Sequence, residues 1–359
     1  MNAKALKGSI RSQTVYTLGS GQEPRLEFQY LFVGAGLGQY IWQDSLYNND
    51  GRIQPNEMEL SPFPDLADYV RVSIFTDNFI RTDNAGLNQS LQFDPGRLWA
   101  NPTIWQKLLK RFNLQSSLTV DRKTRPDAAI QSWNPLQLSI EDSSLVALTA
   151  GTRHGLFFNR ANPHYDLQLS QRELRRRQVL TTGYEASRQK EWELKLRFRP
   201  YPAMNLILGG VLGRRGADSE FFNNKDFDIG FQRLEPEADW QPGEDFRFNA
   251  KYVWGLEANE LALGGGERSQ RQEFQFEGNF RRWMQARIRF VNIDLQGEAR
   301  SPVGFVLLNG LQAGRNWLWN LSATRQLGQY LQLNVSYEGR QTGEAATVHL
   351  GRAQVTALF

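Results

Sequence analysis

From about residue 165 to the end of the chain, apolar and polar residues alternate with a period of two. Trp192, Leu194, Leu196 and Phe198 are interleaved with Glu193, Lys195, Arg197 and Arg199. Leu331, Leu333, Val335 and Tyr337 are interleaved with Gln332, Asn334, Ser336 and Glu338. Successive side chains of a strand point to opposite faces, so each segment has one apolar face and one strongly polar face. Wound as a helix, the same residues would spread charge all round it. The pattern predicts strands over 165–172, 179–187, 191–199, 204–214, 226–234, 245–255, 273–280, 284–295, 316–326, 330–339 and 347–359.

The links between these strands carry further information. Those at 200–203, 281–283 and 327–329 are tight, whereas 215–225, 256–272, 296–315 and 340–346 are longer, polar and Gly-rich. Tight and long links largely alternate, as in an up-and-down meander with short turns at one end and loops at the other. The link at 188–190 departs from this, being short on the loop side. Many of the strands are close to the length that a tilted strand needs to cross a bilayer. Aromatics at Tyr201, Trp254, Trp283 and Tyr330 fall near strand ends, where an interfacial girdle sits. The expected fold is all-β, an antiparallel up-and-down transmembrane β-barrel of about 12–14 strands.

The first part of the chain is less regular. Strands are expected at 25–33, 69–75 and 114–122, with one or two more within 144–159. A helix is expected at 102–112, with Ile104, Leu108 and Leu109 on one stripe. This divides the chain into 1–111, an irregular N-terminal segment (a periplasmic module, a plug or the first barrel strands), and 112–359, the barrel.

Composition changes the picture in a few places. Mean hydropathy is -0.54 although aromatics reach 12%. A barrel gives such an average because its two faces cancel, and no segment approaches the roughly 18 to 20 apolar residues of a membrane helix. The absence of Cys excludes disulfides, thiol catalysis and Cys-based zinc sites. The three His are far apart, which argues against a dense His metal site. Net charge is +4, but the basic residues are scattered among acids, so no nucleic-acid partner is expected. The first residues lack the apolar run of a secretory signal.

One motif suggests a metal. Asp44, Asn48, Asp50, Gly51 and Glu57 offer closely spaced oxygens, a turn glycine and a closing carboxylate, the requirements of a calcium loop. Aligned on Gly51, however, the motif places Leu46 where the first Asp belongs, and Asp44 substitutes only in a loop two residues longer. An Asn/Asp–Gly turn accounts for the same residues. Calcium is therefore the one cofactor candidate, and no other cofactor is expected. Gly34, Gly36 and Gly38 follow a strand but lack the third glycine spacing and the helix of a dinucleotide fingerprint, so they are read as a turn.

No spacing assembles His154, His164 or His349 with Ser170 or Ser187, so no catalytic residue is expected and the chain is read as non-enzymatic. Lys195, Arg197 and Arg199 share one face, as do Arg287 and Arg289, with Glu193, Glu273 and Glu277 on strands nearby. These are expected to face the lumen in ion-pair ladders that fill a narrow pore or bias an open one toward anions.

The run Gly310–Leu311–Gln312–Ala313–Gly314–Arg315–Asn316–Trp317–Leu318–Trp319, the strand from Leu331 to Arg340 and the closing Phe359 resemble the end of large outer-membrane proteins of the Bacteroidota. The likeness covers about the last two-thirds of the chain and brings no catalytic residue. It implies the outer membrane of a Gram-negative bacterium, with lipid, the barrel-assembly machinery and other outer-membrane proteins as partners. It also implies that Val355, Ala357 and Phe359 form a C-terminal assembly signal. Such proteins are longer and carry signal peptides, so the chain resembles a C-terminal fragment of one. The expected role is that of a channel, a translocation or assembly component, or a scaffold for surface factors. The alternative is a soluble or surface-exposed, calcium-stabilised β-rich module for binding or adhesion.

Overall fold

A computed structural model describes residues 1–99, 101–126, 133–139, 144–181, 183–220, 222–261, 265–281, 283–328 and 330–357. The first strands are β1 (Asn2–Ala5), β2 (Ile10–Phe32), β3 (Tyr40–Trp42), β4 (Met58–Leu60), β5 (Tyr69–Phe93) and β6 (Phe112–Thr124). They are followed by β7 (Leu145–Phe158), β8 (Tyr165–Leu180), β9 (Gly183–Tyr201), β10 (Met204–Ser219), β11 (Phe227–Trp240) and β12 (Phe246–Asn259). The last are β13 (Arg268–Phe280), β14 (Met284–Gln296), β15 (Gly314–Gln326), β16 (Leu331–Thr342) and β17 (Val348–Ala357). Two short helices, α1 (Ile104–Leu109) and α2 (Pro302–Leu308), lie in links.

Antiparallel ladders join β2 to β5 and then every consecutive pair from β5 to β17. Leaving aside β1, β3 and β4, fourteen strands of ten residues or more run up and down among the described residues. The fold is an all-β, antiparallel up-and-down β-barrel, and its strand number is the upper end of the expected range.

The registers carry each face from strand to strand. Leu196 pairs with Leu208, Tyr252 with Phe274, Phe274 with Phe290, and Phe290 with Trp317, all on the outer face. Side chains of this face, including Trp192, Leu194, Leu212, Phe276, Ile288 and Trp317, are exposed although apolar. Toward the loop end the outer face turns polar: Gln272, Asn292 and Arg315 share one level and Gln270 and Asp294 the next. The band of exposed apolar residues thus occupies the turn-end half of the barrel, and the strands continue beyond it.

Among the described residues two hydrophobic clusters sit inside the loop end, and a third, around Leu87, Val120 and Leu148, lies on the outer face against Leu138. Val291 and Ile293 of β14, on the opposite face from Phe290, pack with Leu308 and Leu311, and Phe63 joins them. Ile229 of β11 packs with Val303 and Leu307 of α2. Phe63 belongs to the 33–68 link between β2 and β5, so a segment that starts on the first long strand reaches the wall formed by β14 to β16. The sheet curls round to meet it.

Several expectations need correction. No boundary falls at residue 112. Segment 1–111 supplies β2 and β5, the two longest strands, and β5 pairs with β6 from Asp83↔Thr124 to Phe93↔Leu114. The strands expected at 25–33 and 69–75 are only the loop-end parts of these two, and the expectation for β2 starts where a bulge between Pro24 and Leu26 interrupts the register. The three strands expected over 165–199 are two, β8 and β9, and the chain turns between Leu180 and Gly183 rather than at 188–190. Glu173, Arg175, Arg177, Arg188 and Lys190 lie on the outer face above the band, where a strand no longer needs apolar residues. The expected helix at 102–112 is only the six residues of α1. The 296–315 link, read as a loop, contains α2.

Candidate functional site

The barrel interior has two levels. Toward the turn end its wall is a field of ion pairs. Lys251 contacts Glu235 at 2.6 Å and Arg287 contacts Glu277 at 2.7 Å, and nearer the loop end Arg271 contacts Glu273 at 2.9 Å. Arg289 also holds Glu273, and Arg247 holds Asp239. Each arises because inward positions lie side by side, either across the ladder as for Arg287 and Glu277 or two residues apart on one strand as for Arg271 and Glu273. The lumen residues expected from sequence all enter ion pairs or hydrogen bonds on this wall. Lys195 lies 3.0 Å from Glu193, Arg197 pairs with Asp166, and Arg199 donates from Nε to Asn205 at 2.8 Å. Arg287 keeps about half of its side chain exposed, so this level is polar and hydrated.

Toward the loop end the interior is filled by the chain itself. In the 33–68 link, β3 and β4 form a small ladder in which Tyr40, Ile41 and Trp42 face Leu60, Glu59 and Met58. Prolines at the first positions of the turns Pro55–Glu57 and Pro64–Leu66 start each turn where no amide donor is needed. Gly38 lies so close to the backbone of Tyr69 that an added Cβ would come within 2.5 Å of it, which fixes the start of the link against β5.

The link is fastened at three places, to the far wall and to two other links. Arg340 of β16 grips the Asp65 carboxylate with both terminal nitrogens, one of them at 2.6 Å, and its guanidinium also lies 4.2 Å from the Phe63 ring centre. The guanidinium hydrogen bond holds the Asp65 carboxyl below its ordinary value despite partial burial. Lys225, from the link between β10 and β11, reaches Glu59 at 3.4 Å and donates to the Met58 carbonyl at 3.3 Å. Pro62 lies against Gly310, whose φ of +71° suits glycine and whose missing Cβ would sit 2.6 Å from the proline ring.

The second part of this filling is α2. Its cap Ser301 accepts from the Gly304 amide at 3.0 Å, Pro302 opens the helix, and Asn309 closes it in the left-handed region. Val303, Leu307 and Leu308 are buried against the wall. Arg215, paired with Glu257 at 2.7 Å, donates to the Val306 carbonyl at 3.4 Å. A cavity of about 240 Å³ remains on the inner face, lined by Phe63, Arg287, Arg289, Leu318, Glu338 and Arg340.

The calcium candidates meet within the 33–68 link. Oxygens of Asp44, Asp50 and Glu57 lie within 4.8 Å of one another, and the Asn48 amide donates to Asp50 at 3.2 Å. Gly34 and Gly36 adopt positive φ in a turn that leads into β3, not into a helix. The histidines assemble no hydrolytic site among the described residues. His154 bonds Ser116 at 2.9 Å and His349 bonds Tyr337 at 2.8 Å, both on the outer face, while Ser170 lies on the inner face near Glu193. Val355 and Ala357 pair with Leu333 and Leu331, and Phe359 lies outside the described residues.

Sequence reasoning did not single out Asp65, Arg340 or α2. A signal for α2 was present: Ser301–Pro302 before Val303, Phe305, Val306, Leu307 and Leu308 is an N-cap followed by an apolar turn. The Asp65–Arg340 pair joins residues 275 positions apart and left no local mark.

No family model matches the chain, and no curated protein matches it. Among solved structures it is similar to a Pseudomonas aeruginosa FadL homologue at 9% identity, covering 96% of this chain and 88% of that one with a TM-score of 0.31. It is also similar to a deltaS2 mutant of the TodX monoaromatic hydrocarbon channel, at 10% identity over 77% and 83% of the two chains and a TM-score of 0.28. A mutant porin of Rh. blastica matches at 8% identity over 95% and 100%, with a TM-score of 0.24. At TM-scores this low the likeness transfers no property to this chain.

Proposed function

We propose that the protein is a non-enzymatic outer-membrane β-barrel channel, closed at its loop end by its own 33–68 link and α2. The observation that carries this reading is the pairing of opposites across one sheet. An exposed apolar band suits lipid, a polar ion-paired inner wall suits a water-filled lumen, and an inward-folded segment blocks one end of it. A soluble adhesion module gives no reason for so many exposed aromatic and aliphatic residues on one continuous face. The reading includes the outer membrane of a Gram-negative bacterium, lipid as the surrounding partner, and assembly through the final strand containing Val355, Ala357 and Phe359.

The test uses the absence of native cysteine. Phe63→Cys combined with Leu318→Cys allows the stopper to be tethered to the wall that Phe63 packs against. In planar bilayers the oxidised double variant is expected to conduct no more than the untreated protein, and opening events are expected to return on reduction. Equal conductance in both states, with folding confirmed by heat-modifiable migration in detergent, rejects the stopper as the barrier.

A further inference from the structure

We propose that the 33–68 link binds a divalent cation, calcium by its donor chemistry, between Asp44, Asp50 and Glu57. The three carboxylates each bring an oxygen within 4.8 Å of the others. An acidic cluster alone would not indicate a site, but the state of Glu57 is an independent observation. This side chain is completely buried, at 0% exposure. Its Oε2 accepts from the Trp42 indole at 2.8 Å and from the Gln54 amide at 3.1 Å. Its Oε1 is also buried and has no hydrogen-bond partner. A carboxylate oxygen taken out of water without a donor is costly unless a cation meets it.

The surroundings supply no such charge from the protein. Among the described residues, no Lys or Arg forms an ion pair with Asp44, Asp50 or Glu57. The cations that reach this link are engaged elsewhere, Lys225 with Glu59 and the Met58 carbonyl and Arg340 with Asp65. The local amides shape the cluster: Asp44 accepts from the amides of Asp50 at 3.1 Å and Gly51 at 2.9 Å, which draws the two acids together. Asn48, whose amide nitrogen donates to Asp50, adds a neutral oxygen beside them. Every donor here is oxygen, with no His or Cys, and a hard cation that tolerates irregular coordination is the match. Calcium fits this better than magnesium, which demands near-ideal octahedral geometry and keeps more of its water.

A bound cation would tie the 44–50 turn to the Glu57 turn and so hold the stopper in its folded form. The inference concerns the link alone and does not depend on whether the barrel conducts.

Trp42 provides the readout, because its indole donates to Glu57 and can sensitise terbium, a calcium probe. The full chain, folded in detergent, is titrated with Tb³⁺ under tryptophan excitation. Expected is saturable emission displaced by Ca²⁺, with affinity at least about tenfold weaker in Glu57→Gln and in Asp50→Asn, since even the outer partners of metal ligands cost that much. Trp42→Phe should abolish the sensitised emission but, because it also removes a donor to Glu57, only weaken and not abolish a Ca²⁺-dependent rise in melting temperature, which separates loss of the probe from loss of the site. Heat-modifiable migration confirms that each variant is folded. Unsaturable emission, or unchanged Tb³⁺ affinity in both folded carboxylate variants, overturns the proposal.

Discussion

The wall from β11 to β14 and the hairpin of β2 and β5 belong to one sheet, yet they are built on different logic. In the wall, strands of 13 or 14 residues meet through short turns at one end, and the inner face repeats one device, an acid bonded to a base on the same or a neighbouring strand. The hairpin strands are 23 and 25 residues long, are bent by a bulge, and end in a link whose contacts with the far wall each occur once. Repeated contacts tolerate loss because neighbours share the load. A segment held by a few dissimilar contacts can be released by removing one of them, which is the property a stopper needs.

The largest expected effect follows from removing the stopper's link while leaving the wall intact. The ends of the segment already lie together: the Gly38 amide bonds the Ala67 carbonyl at 2.8 Å and the Gln39 amide bonds Tyr69 at 2.8 Å. Excision of residues 40–66 with a two-glycine bridge is therefore expected to leave a folded barrel. Conductance in planar bilayers should rise from rare openings to a persistently open level. If the excised protein folds and stays closed, α2 or the wall is the barrier, and the contrast between wall and hairpin loses its functional meaning.

The next effect distinguishes the two faces of a single wall strand. Ile288 points to the outer face and is about half exposed, whereas Arg287 points inward to Glu277. Ile288→Arg is expected to destabilise the inserted barrel by about 2–4 kcal/mol, the cost of a cation in the lipid-facing band. Arg287→Gln should cost only about 0–1 kcal/mol, because its ion pair is solvated and has neighbours. Denaturant unfolding from lipid vesicles measures both. A reversed order would mean that the faces are assigned the wrong way round.

The same contrast explains what could be read from the sequence. Alternation is visible where one face meets an apolar solvent and the other does not, so β9 was found from Trp192, Leu194, Leu196 and Phe198. It disappears where a strand leaves the band, which is why Glu173 to Gln178 looked like a break although β8 runs through to Leu180. β2 and β5 are legible only in part, at 25–33 and 69–75, and their full length leaves no alternating mark. The ion-paired residues Lys195, Arg197, Arg287 and Arg289 were nominated from parity, because any inward charge on a regular ladder finds a neighbour. The acids of the cation cluster were nominated from local spacing, because a single short link carries them. Asp65 and Arg340 had neither periodicity nor proximity in sequence, and only the curled sheet brings them together.

The smallest expected effect concerns that pair and pH. Arg340 holds the Asp65 carboxyl below its ordinary value of 3.8. A lowered folded-state value means that the contribution to holding the stopper is fully present above the ordinary carboxylate range and is lost as pH falls through the lowered value. Conductance of the unmodified protein should therefore be flat from about pH 7 to about pH 5 and rise only in stronger acid. Asp65→Asn removes the charge at every pH, so its openings should be more frequent already at neutral pH, and the acid-induced rise should be absent. A step between about pH 5 and 7 in the unmodified protein would assign control of the stopper to another group, since a carboxylate with a lowered value does not titrate there. The hairpin would then not depend on its one strong clasp, and the redundancy ascribed to the wall would have to extend to the stopper as well.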